Sequence, residues 1–468
     1  MSAPLLWIIF PILISILLLI FRKNYLLVCL VQIILCSIII ISAILARFVT
    51  PETTSILIYQ ITPSMNILGR SLIFTSGLKT TMIFSFSALV IWSLSLLIFK
   101  IKSNIVPFGI TFIGLLIAAL AVEPFLYSAL IIEIAVVVSI PIFANATNPR
   151  IKGVSRYLIY FTIGMPFILL AGWYLAGGEI SPVNDEQLIQ AALLLGLGFI
   201  FWLAVFPFQS WIPLLAEETE PIEGFFVLTI LPMAIAMLLM KYLNGFAWLR
   251  GFITVFQALR LFGLIMIVFG SIWFSFQKNL RKAISYLLLV SSGLVVVALS
   301  FNSSDGYIFS SYFMLLRLIC FFLLSMILMV FEKTRENNSI VSLQLKALFK
   351  KSPITALVFF IPLFSLVGMP WTVGFPIMQS LFSELAIFIP QFMILLLLSL
   401  IIISITIIRW IFISIKNDDD SIASSNLGPQ ETAFLLVCVL GMIIIGIFPN
   451  IIYPHIGSIV SDLQFLVK

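Results

Sequence analysis

Charged side chains are nearly missing from this sequence: Asp, Glu, Lys and Arg make up 9% of its 468 residues, where a soluble domain carries about 25%. That shortage excludes a nucleotide-binding domain or any long aqueous loop. Histidine occurs once, as His455 in a Tyr453-Pro454-His455 turn near the C-terminus, so paired haem-ligating histidines are excluded and a structural role is expected. The four cysteines, Cys29, Cys36, Cys320 and Cys438, all lie inside apolar runs without metal-ligand spacing. They read as small buried hydrophobes, not as disulfides or a metal cluster. No G-x-G-x-x-G opens a helix. The expectation is a chain with no cofactor and no metal that oxidises nothing by itself, any redox chemistry belonging to partners. The net charge of +6 reports loop anchoring at a membrane, not nucleic-acid binding.

What is present is hydrocarbon: 62% of residues are hydrophobic and the mean hydropathy is +1.23. Runs near the ~20 residues needed to cross a bilayer fall at about 5–21, 25–46, 80–101, 105–122, 124–143, 154–177, 188–210, 224–242, 253–276, 283–301, 309–331, 353–388 (interrupted), 391–416 and 432–454, fourteen in all. The first lacks a basic leader and a small-residue cleavage site, so it reads as a retained helix. With fourteen spans the loops alternate sides. Odd loops carry Arg22, Lys23, Lys100, Lys102, Arg150, Lys152, Lys278, Arg281, Lys282, Lys333, Arg335, Lys346, Lys350, Lys351 and Lys416, and even loops only Arg47, Arg70, Lys79 and Arg250. The positive-inside rule then puts both termini on the non-cytoplasmic side. Ser55–Ile61, within the polar segment 47–79, suits a short outside hairpin, and 332–352 and Asp418-Asp419-Asp420 read as solvated connectors.

Two hydrophobic stretches are broken by proline pairs: Phe206-Pro207-Phe208-Gln209-Ser210-Trp211-Ile212-Pro213, and Gly368-Met369-Pro370-Trp371-Thr372-Val373-Gly374-Phe375-Pro376. An unpaired amide in lipid costs several kcal/mol, so such breaks survive where protein or water takes over the freed groups. Matching breaks in two halves point to a pathway between internal repeats; proline kinks in ordinary spans are the plainer alternative. Ionisable residues at depth agree with a polar axis. Glu133 is central in the fifth span and Arg317 in the eleventh; Arg260 lies two turns into the ninth, and Glu384 follows the second break. A structural Glu–Arg pair is the competing explanation, and Arg409 and Lys241, nearer helix ends, suit snorkelling.

The segment Trp202-Leu203-Ala204-Val205-Phe206-Pro207-Phe208-Gln209-Ser210-Trp211-Ile212-Pro213, followed by Glu217 and Pro221, resembles the seventh-helix signature of the antiporter-like subunits of respiratory complex I, membrane-bound hydrogenases and Mrp antiporters. That pattern runs approximately K-x-A-x-x-P-x-H-x-W-L-P-D-A-x-E-G-x-x-P. Glu133 matches the Glu of the family's fifth helix. Gln277-Lys278-Asn279-Leu280-Arg281-Lys282-Ala283-Ile284-Ser285-Tyr286 resembles its Q-x-D-L-K-R-L-L-A-Y. Phe364-Ser365-Leu366-Val367-Gly368-Met369-Pro370 with Gly374-Phe375 resembles S-L-x-G-x-P-x-x-G-F. The resemblance covers about 120 to 380. It implies an all-α polytopic membrane protein with two inverted five-helix repeats, each holding one broken helix. One membrane domain results: N-terminal helices and outside loop (1–101), first repeat (105–242), second repeat (253–416) and a last helix (432–454).

The departures bear on activity. The family's seventh-helix lysine aligns with Trp202, its His with Gln209, and the Asp of W-L-P-D with Leu214. The eighth-helix lysine region reads Ile230-Leu231-Pro232-Met233, and the twelfth-helix lysine aligns with Met378. Glu133, Arg281, Lys282 and Arg317 remain or substitute, with Arg260, Glu384 and Glu217 as further path candidates. In the family the fifth-helix Glu tunes the seventh-helix Lys. Without it, Glu133 is expected to be neutral or paired with an arginine from another helix or subunit, and arginine is a poor relay because it does not deprotonate. The resemblance thus implies a membrane-arm subunit of a redox-driven, complex-I-like complex moving protons or sodium, packed among other membrane subunits in a bacterial inner or energy-coupling membrane. It either conducts by a modified path or serves as a spacer with a degenerate channel. Alternatives are an Mrp-type cation/proton antiporter subunit and a membrane subunit of an energised inorganic-carbon uptake complex.

Overall fold

The computed structural model describes residues 2–48, 60–67, 69–145, 152–176, 185–334, 341, 345–416 and 427–463. Helices dominate, in the order α1 (Phe10–Ile20, preceded by a π-turn at Leu5–Ile9), α2 (Tyr25–Leu45), α3 (Ser76–Ile98), α4 (Ile105–Ala121), α5 (Ser128–Ser139), α6 (Lys152–Ala176) and α7 (Asp185–Trp202). There follow α8 (Trp211–Glu218), α9 (Pro221–Gly245), α10 (Ala247–Gly251), α11 (Ile253–Phe276), α12 (Leu280–Leu299) and α13 (Ser304–Thr334). The last are α14 (Leu348–Lys351), α15 (Pro353–Val367), α16 (Gly374–Phe388), α17 (Pro390–Ile415), α18 (Pro429–Ile447) and α19 (Tyr453–Ser461). Among the described residues nine are long and apolar enough to cross a membrane; α1, α4, α5, α7 and α15 are shorter apolar helices. An apolar helix stands at every stretch marked as a span in the sequence.

Burial sorts these helices. The spans α9, α12 and α13 are 100%, 89% and 94% buried, against 22% for α18 and 33% for α11 and α17. The first three form the axis of the bundle, and the others turn one face outward. A helix apolar all round is suited to either place, so it is close packing that selects the inner ones. The approach of α11 to α12 shows how. A Cβ added to Gly293 would meet the Gly263 carbonyl at 2.7 Å, and one added to Gly263 would meet the Gly293 carbonyl at 2.9 Å. Small residues facing each other are what lets apolar helices gain contact where lipid supplies no hydrophobic drive.

Strand structure is slight. β3 (Ser64–Ile67) and β4 (Arg70–Ile73) form an antiparallel hairpin, and β4 also pairs with β5 (Val122–Glu123). The hairpin turns at Gly69, whose φ of +74° suits a residue without Cβ. Of the expected Ser55–Ile61 hairpin, residues 55–59 lie outside the described residues. The described end, β2 (Gln60–Ile61), pairs in parallel with β1 (Arg47–Phe48).

The seventh apolar run reaches 210 in the sequence, but α7 stops at Trp202; Ala204 takes a φ of 58° and the chain turns before α8 begins. Segment 332–352 is not a simple solvated connector: Val341, Leu345 and Leu348 are buried, and the Val341 amide donates to the Lys278 carbonyl at 2.9 Å. These three are interleaved with Lys346, Lys350 and Lys351, and Ala347, with a φ of 57°, turns the chain between Leu345 and the short helix α14. The C-terminal turn is a helix, α19, and Asp462, just past its end, accepts from the Ser76 hydroxyl at 2.6 Å and from the Gly77 amide in the first turn of α3. The Asp418-Asp419-Asp420 run lies outside the described residues.

Candidate functional site

The first break, between α7 and α8, is filled by aromatic rings. Trp202, the last residue of α7, is fully buried, and its indole nitrogen donates to the Phe161 carbonyl on α6 at 3.1 Å. Its ring stacks on Phe161 at 6.1 Å and 14°. Gly164 makes room for it, since a Cβ there would lie 2.6 Å from Trp202 Cδ1. Tyr157 and Trp211 close the group, 5.1 and 5.6 Å from Phe161. Gln209 is also buried there, and among the described residues its Oε1 and the Trp211 indole nitrogen have no hydrogen-bond partner. Pro207 precedes a single 3₁₀ turn (Phe208–Ser210), and Pro213 sits in the first turn of α8, where the missing amide is not needed.

Glu133, on α5, meets this region from the side. Thr162 of α6 donates its hydroxyl to Glu133 Oε1 at 2.6 Å, while Oε2 is buried without a partner among the described residues. Among the described residues no arginine of this chain pairs with Glu133, and a threonine hydroxyl is its partner.

The second break is closed by its own backbone. α15 ends at Gly368, φ +84°, and the amides of Gly368 and Met369 both reach back to the Phe364 carbonyl at 3.1 and 3.0 Å, a left-handed helix cap. Across the gap the Gly374 amide donates to Ser365 Oγ at 3.1 Å. Met378, buried on α16, lies against Gly368, whose missing Cβ would sit 2.6 Å from Met378 Cγ. Pro370 and the exposed Trp371 form the turn between.

Between the breaks stands Arg317, at mid-length of α13 and only 2% exposed. No carboxylate within ion-pair distance answers it among the described residues. Instead Nη2 donates to the Leu228 carbonyl of α9 at 2.6 Å, and Nη1 donates to Ser292 Oγ of α12. The reason for that acceptor is four residues on. Pro232 lies inside α9, and a helical amide at position i bonds the carbonyl at i−4; proline has none. The Leu228 carbonyl is therefore left without its helical donor in the core of the bundle, and Arg317 supplies one. This role of Pro232 was not recognised from the sequence, although the i−4 rule would have found the orphaned carbonyl.

The remaining predicted residues fall into two further places. Glu217 of α8, Arg281 and Lys282 of α12 come together: Lys282 Nζ lies 2.8 Å from Glu217 Oε2, and Asn279 donates to Oε1 at 3.4 Å. Arg281 pairs with Glu332, a partner that no sequence motif marks, and donates to the Glu217 and Thr219 carbonyls at 3.2 and 2.8 Å. Next to them Glu218 accepts from the Gly153 amide at 2.6 Å, a carboxylate at the start of α6, where the helix dipole favours it. Arg260 and Glu384 line one cavity of about 560 Å³ together with Asp305, but no ion pair joins them among the described residues. Arg260 instead holds Ser300 at the end of α12. Lys241 caps the end of α4 through the Leu120 and Val122 carbonyls at 3.0 and 3.3 Å, and Arg409 holds the Ser275 carbonyl at 3.0 Å.

A bundle of apolar spans with polar groups buried on its central helices and two interrupted helices defines an integral, multi-pass membrane protein of antiporter-like build. Residues 155–404, just over half of the chain, match the model described as NADH:quinone oxidoreductase/Mrp antiporter, TM, and the chain belongs to that family. A curated relative, NADH-quinone oxidoreductase subunit N 2 of Solidesulfovibrio magneticus, is 26% identical over 221 residues, 45% of each chain. The chain thus spans about half the length of the curated relatives it matches. Among solved structures, a chain of the archaeal membrane-bound sulfane sulfur reductase superposes with a TM-score of 0.82 at 15% identity, covering 100% of this chain and 98% of that one. A chain of the Mrp complex from Dietzia sp. DQ12-45-1b gives 0.82 at 11% identity, covering 100% and 99%. At such identities the two structures establish the fold.

Proposed function

We propose that this protein is an antiporter-like membrane-arm subunit of a redox-driven, complex-I-like complex that moves protons or sodium, and that its own ion path is interrupted. The carrying observation is the pair of fillings at the breaks. Trp202 and Met378, which the motif alignment sets at the family's lysine positions, are buried, and each is seated against a glycine of a neighbouring segment. A lysine there could take and give a proton; an indole and a thioether cannot. On the same reading the fourteen apolar helices are all spans, arranged as two inverted five-helix repeats with both termini on the non-cytoplasmic side.

The named residues then hold the scaffold. Glu133 and Thr162 tie α5 to α6. Arg317 repairs the proline gap in α9 and places a permanent cation on the axis, which repels a passing cation in a low-dielectric interior. Glu217, Arg281 and Lys282 fasten the first broken segment to the start of the second half. Partners are other membrane subunits, since the relative from Solidesulfovibrio is named as a subunit of a quinone oxidoreductase. That same name favours the redox-linked reading over a stand-alone Mrp antiporter.

The test is made in the assembled complex, reconstituted into vesicles, with ions moved per electron as the readout. Glu133→Gln and Arg317→Ala should leave that ratio unchanged. A drop in the ratio with electron transfer intact would show that this subunit conducts.

A further inference from the structure

The cavity shared by Arg260, Asp305 and Glu384 gathers three charges and pairs none of them among the described residues. It lies where the start of α11, the turn between α12 and α13 and the end of α16 meet. With 24 residues, α11 is about 36 Å long, slightly more than the ~30 Å hydrocarbon core. Its first two turns therefore cross from the headgroup layer into hydrocarbon, and Arg260 ends that stretch. The guanidinium reaches Ser300 through Nε and Nη2 at 3.4 and 3.3 Å, which leaves Nη1 uncommitted among the described residues. Asp305, in the first turn of α13, and Glu384 make no hydrogen bond or ion pair to any described residue. Glu384 lies one turn from the C-terminal end of α16, where the helix dipole is negative and disfavours a carboxylate. Apart from Ser303 the rest of the lining is apolar, being Phe301, Ile387 and Ile389, and Ile387 is 74% exposed. An occupant that answers all of this carries an anion for Arg260, a cation for the two carboxylates and a hydrocarbon body for the lip.

We propose that this cavity binds the phosphate–ammonium zwitterion of an ethanolamine phosphodiester, supplied by the membrane as the headgroup of phosphatidylethanolamine. The phosphodiester lies on the Arg260 guanidinium, whose planar fork of donors suits phosphate. The primary ammonium offers three N–H donors to Asp305 and Glu384 and offsets the dipole at the end of α16. A choline headgroup has no N–H to give and binds through aromatic cages, whereas Phe301 is the single ring in the lining. The site thus selects ethanolamine over choline.

The experiment uses the assembled complex in vesicles of mixed composition that contain a trace of phosphatidylethanolamine or, in parallel, phosphatidylcholine. Each probe carries the same photoactivatable diazirine close to the glycerol, and labelled peptides are mapped by mass spectrometry. The ethanolamine probe should label 253–262, 299–306 and 384–389 several-fold more than the choline probe. Glu384→Gln, which disturbs no polar contact within the chain, should bring that ratio close to one, and Arg260→Gln should lower the labelling by both probes. Excess glycerophosphoethanolamine, the same zwitterion without acyl chains, should leave the labelling unchanged; full displacement by it would assign the site to a free solute and overturn the lipid source. Equal labelling of these peptides by the two probes in the native complex would overturn the proposal. So would a ratio that Glu384→Gln leaves intact, or cross-linking of these peptides to a partner protein in place of lipid.

Discussion

Exchanging Pro232 for alanine should make Arg317 largely dispensable for the stability of the bundle. In the native chain the Leu228 carbonyl has lost its helical donor to Pro232 and takes one from Arg317 Nη2 at 2.6 Å. Arg317→Met strands that carbonyl at a cost of about 1–3 kcal/mol, although hydrogen bonds inside membrane proteins have averaged only about 0.6 and reached about 1.7. The same substitution removes a buried cation whose desolvation costs several kcal/mol. The single mutant therefore has no diagnostic sign. In Pro232→Ala the alanine amide bonds Leu228 itself, and the general gain of about 3 kcal/mol from removing a helical proline cancels in the cycle. Arg317→Met should then be less destabilising, by about 0.6–2 kcal/mol, in the Pro232→Ala background than in the native one. Unfolding in mixed SDS and non-ionic micelles, followed by far-ultraviolet circular dichroism, measures all four corners. Ser292→Ala, which touches the other arm of the guanidinium, should show no such coupling to Pro232. An interaction energy within about 0.3 kcal/mol of zero would refute the account of why Arg317 is there.

Further outcomes follow from the packing. Gly164→Ala drives a methyl group into the Trp202 ring and should cost about 1–3 kcal/mol as overpacking, seen as a lowered thermal midpoint that Trp202→Leu partly restores. Arg281→Ala leaves Glu332, whose side chain is 10% exposed, without its cation and should cost about 3–5 kcal/mol, while Lys282→Met, at a pair about a quarter exposed, should cost under about 1 kcal/mol and less in high salt. Asp462→Ala removes a carboxylate acceptor from the first turn of α3, leaving the Thr75 cap in place, at about 0.5–2 kcal/mol, read as faster proteolytic trimming of the C-terminal helix α19.

The apolar lengths and the two proline pairs made the helical architecture legible, because bilayer thickness and the missing proline amide act on short stretches of chain. The break at 206–213 was readable for the same reason, though its onset at Trp202 was not: the turn at Ala204 depends on a left-handed backbone in a non-glycine residue, for which the local sequence carries no signal. Buried charges could be picked out but not paired. Glu217 with Lys282 joins residues 65 positions apart, and Glu133 found a threonine hydroxyl that no charge count would single out. Val341, Leu345 and Leu348 were hidden because they are few and interleaved with Lys346, Lys350 and Lys351. The α19 helix begins Tyr453-Pro454, which reads equally well as a turn until Asp462 is seen against α3.

The position of Arg317 along the chain has a consequence for how the protein is made. An arginine entering a bilayer at mid-helix on its own faces a penalty of at least about 2.5–3.5 kcal/mol. Both of its acceptors, Leu228 and Ser292, are synthesised before it, and chains fold from the N-terminus as they emerge. When α13 leaves the insertion machinery, α9 already presents its vacant carbonyl and α12 its hydroxyl. The proline in α9 thus acts as a reserved berth, prepared some ninety residues ahead of the cation that will occupy it.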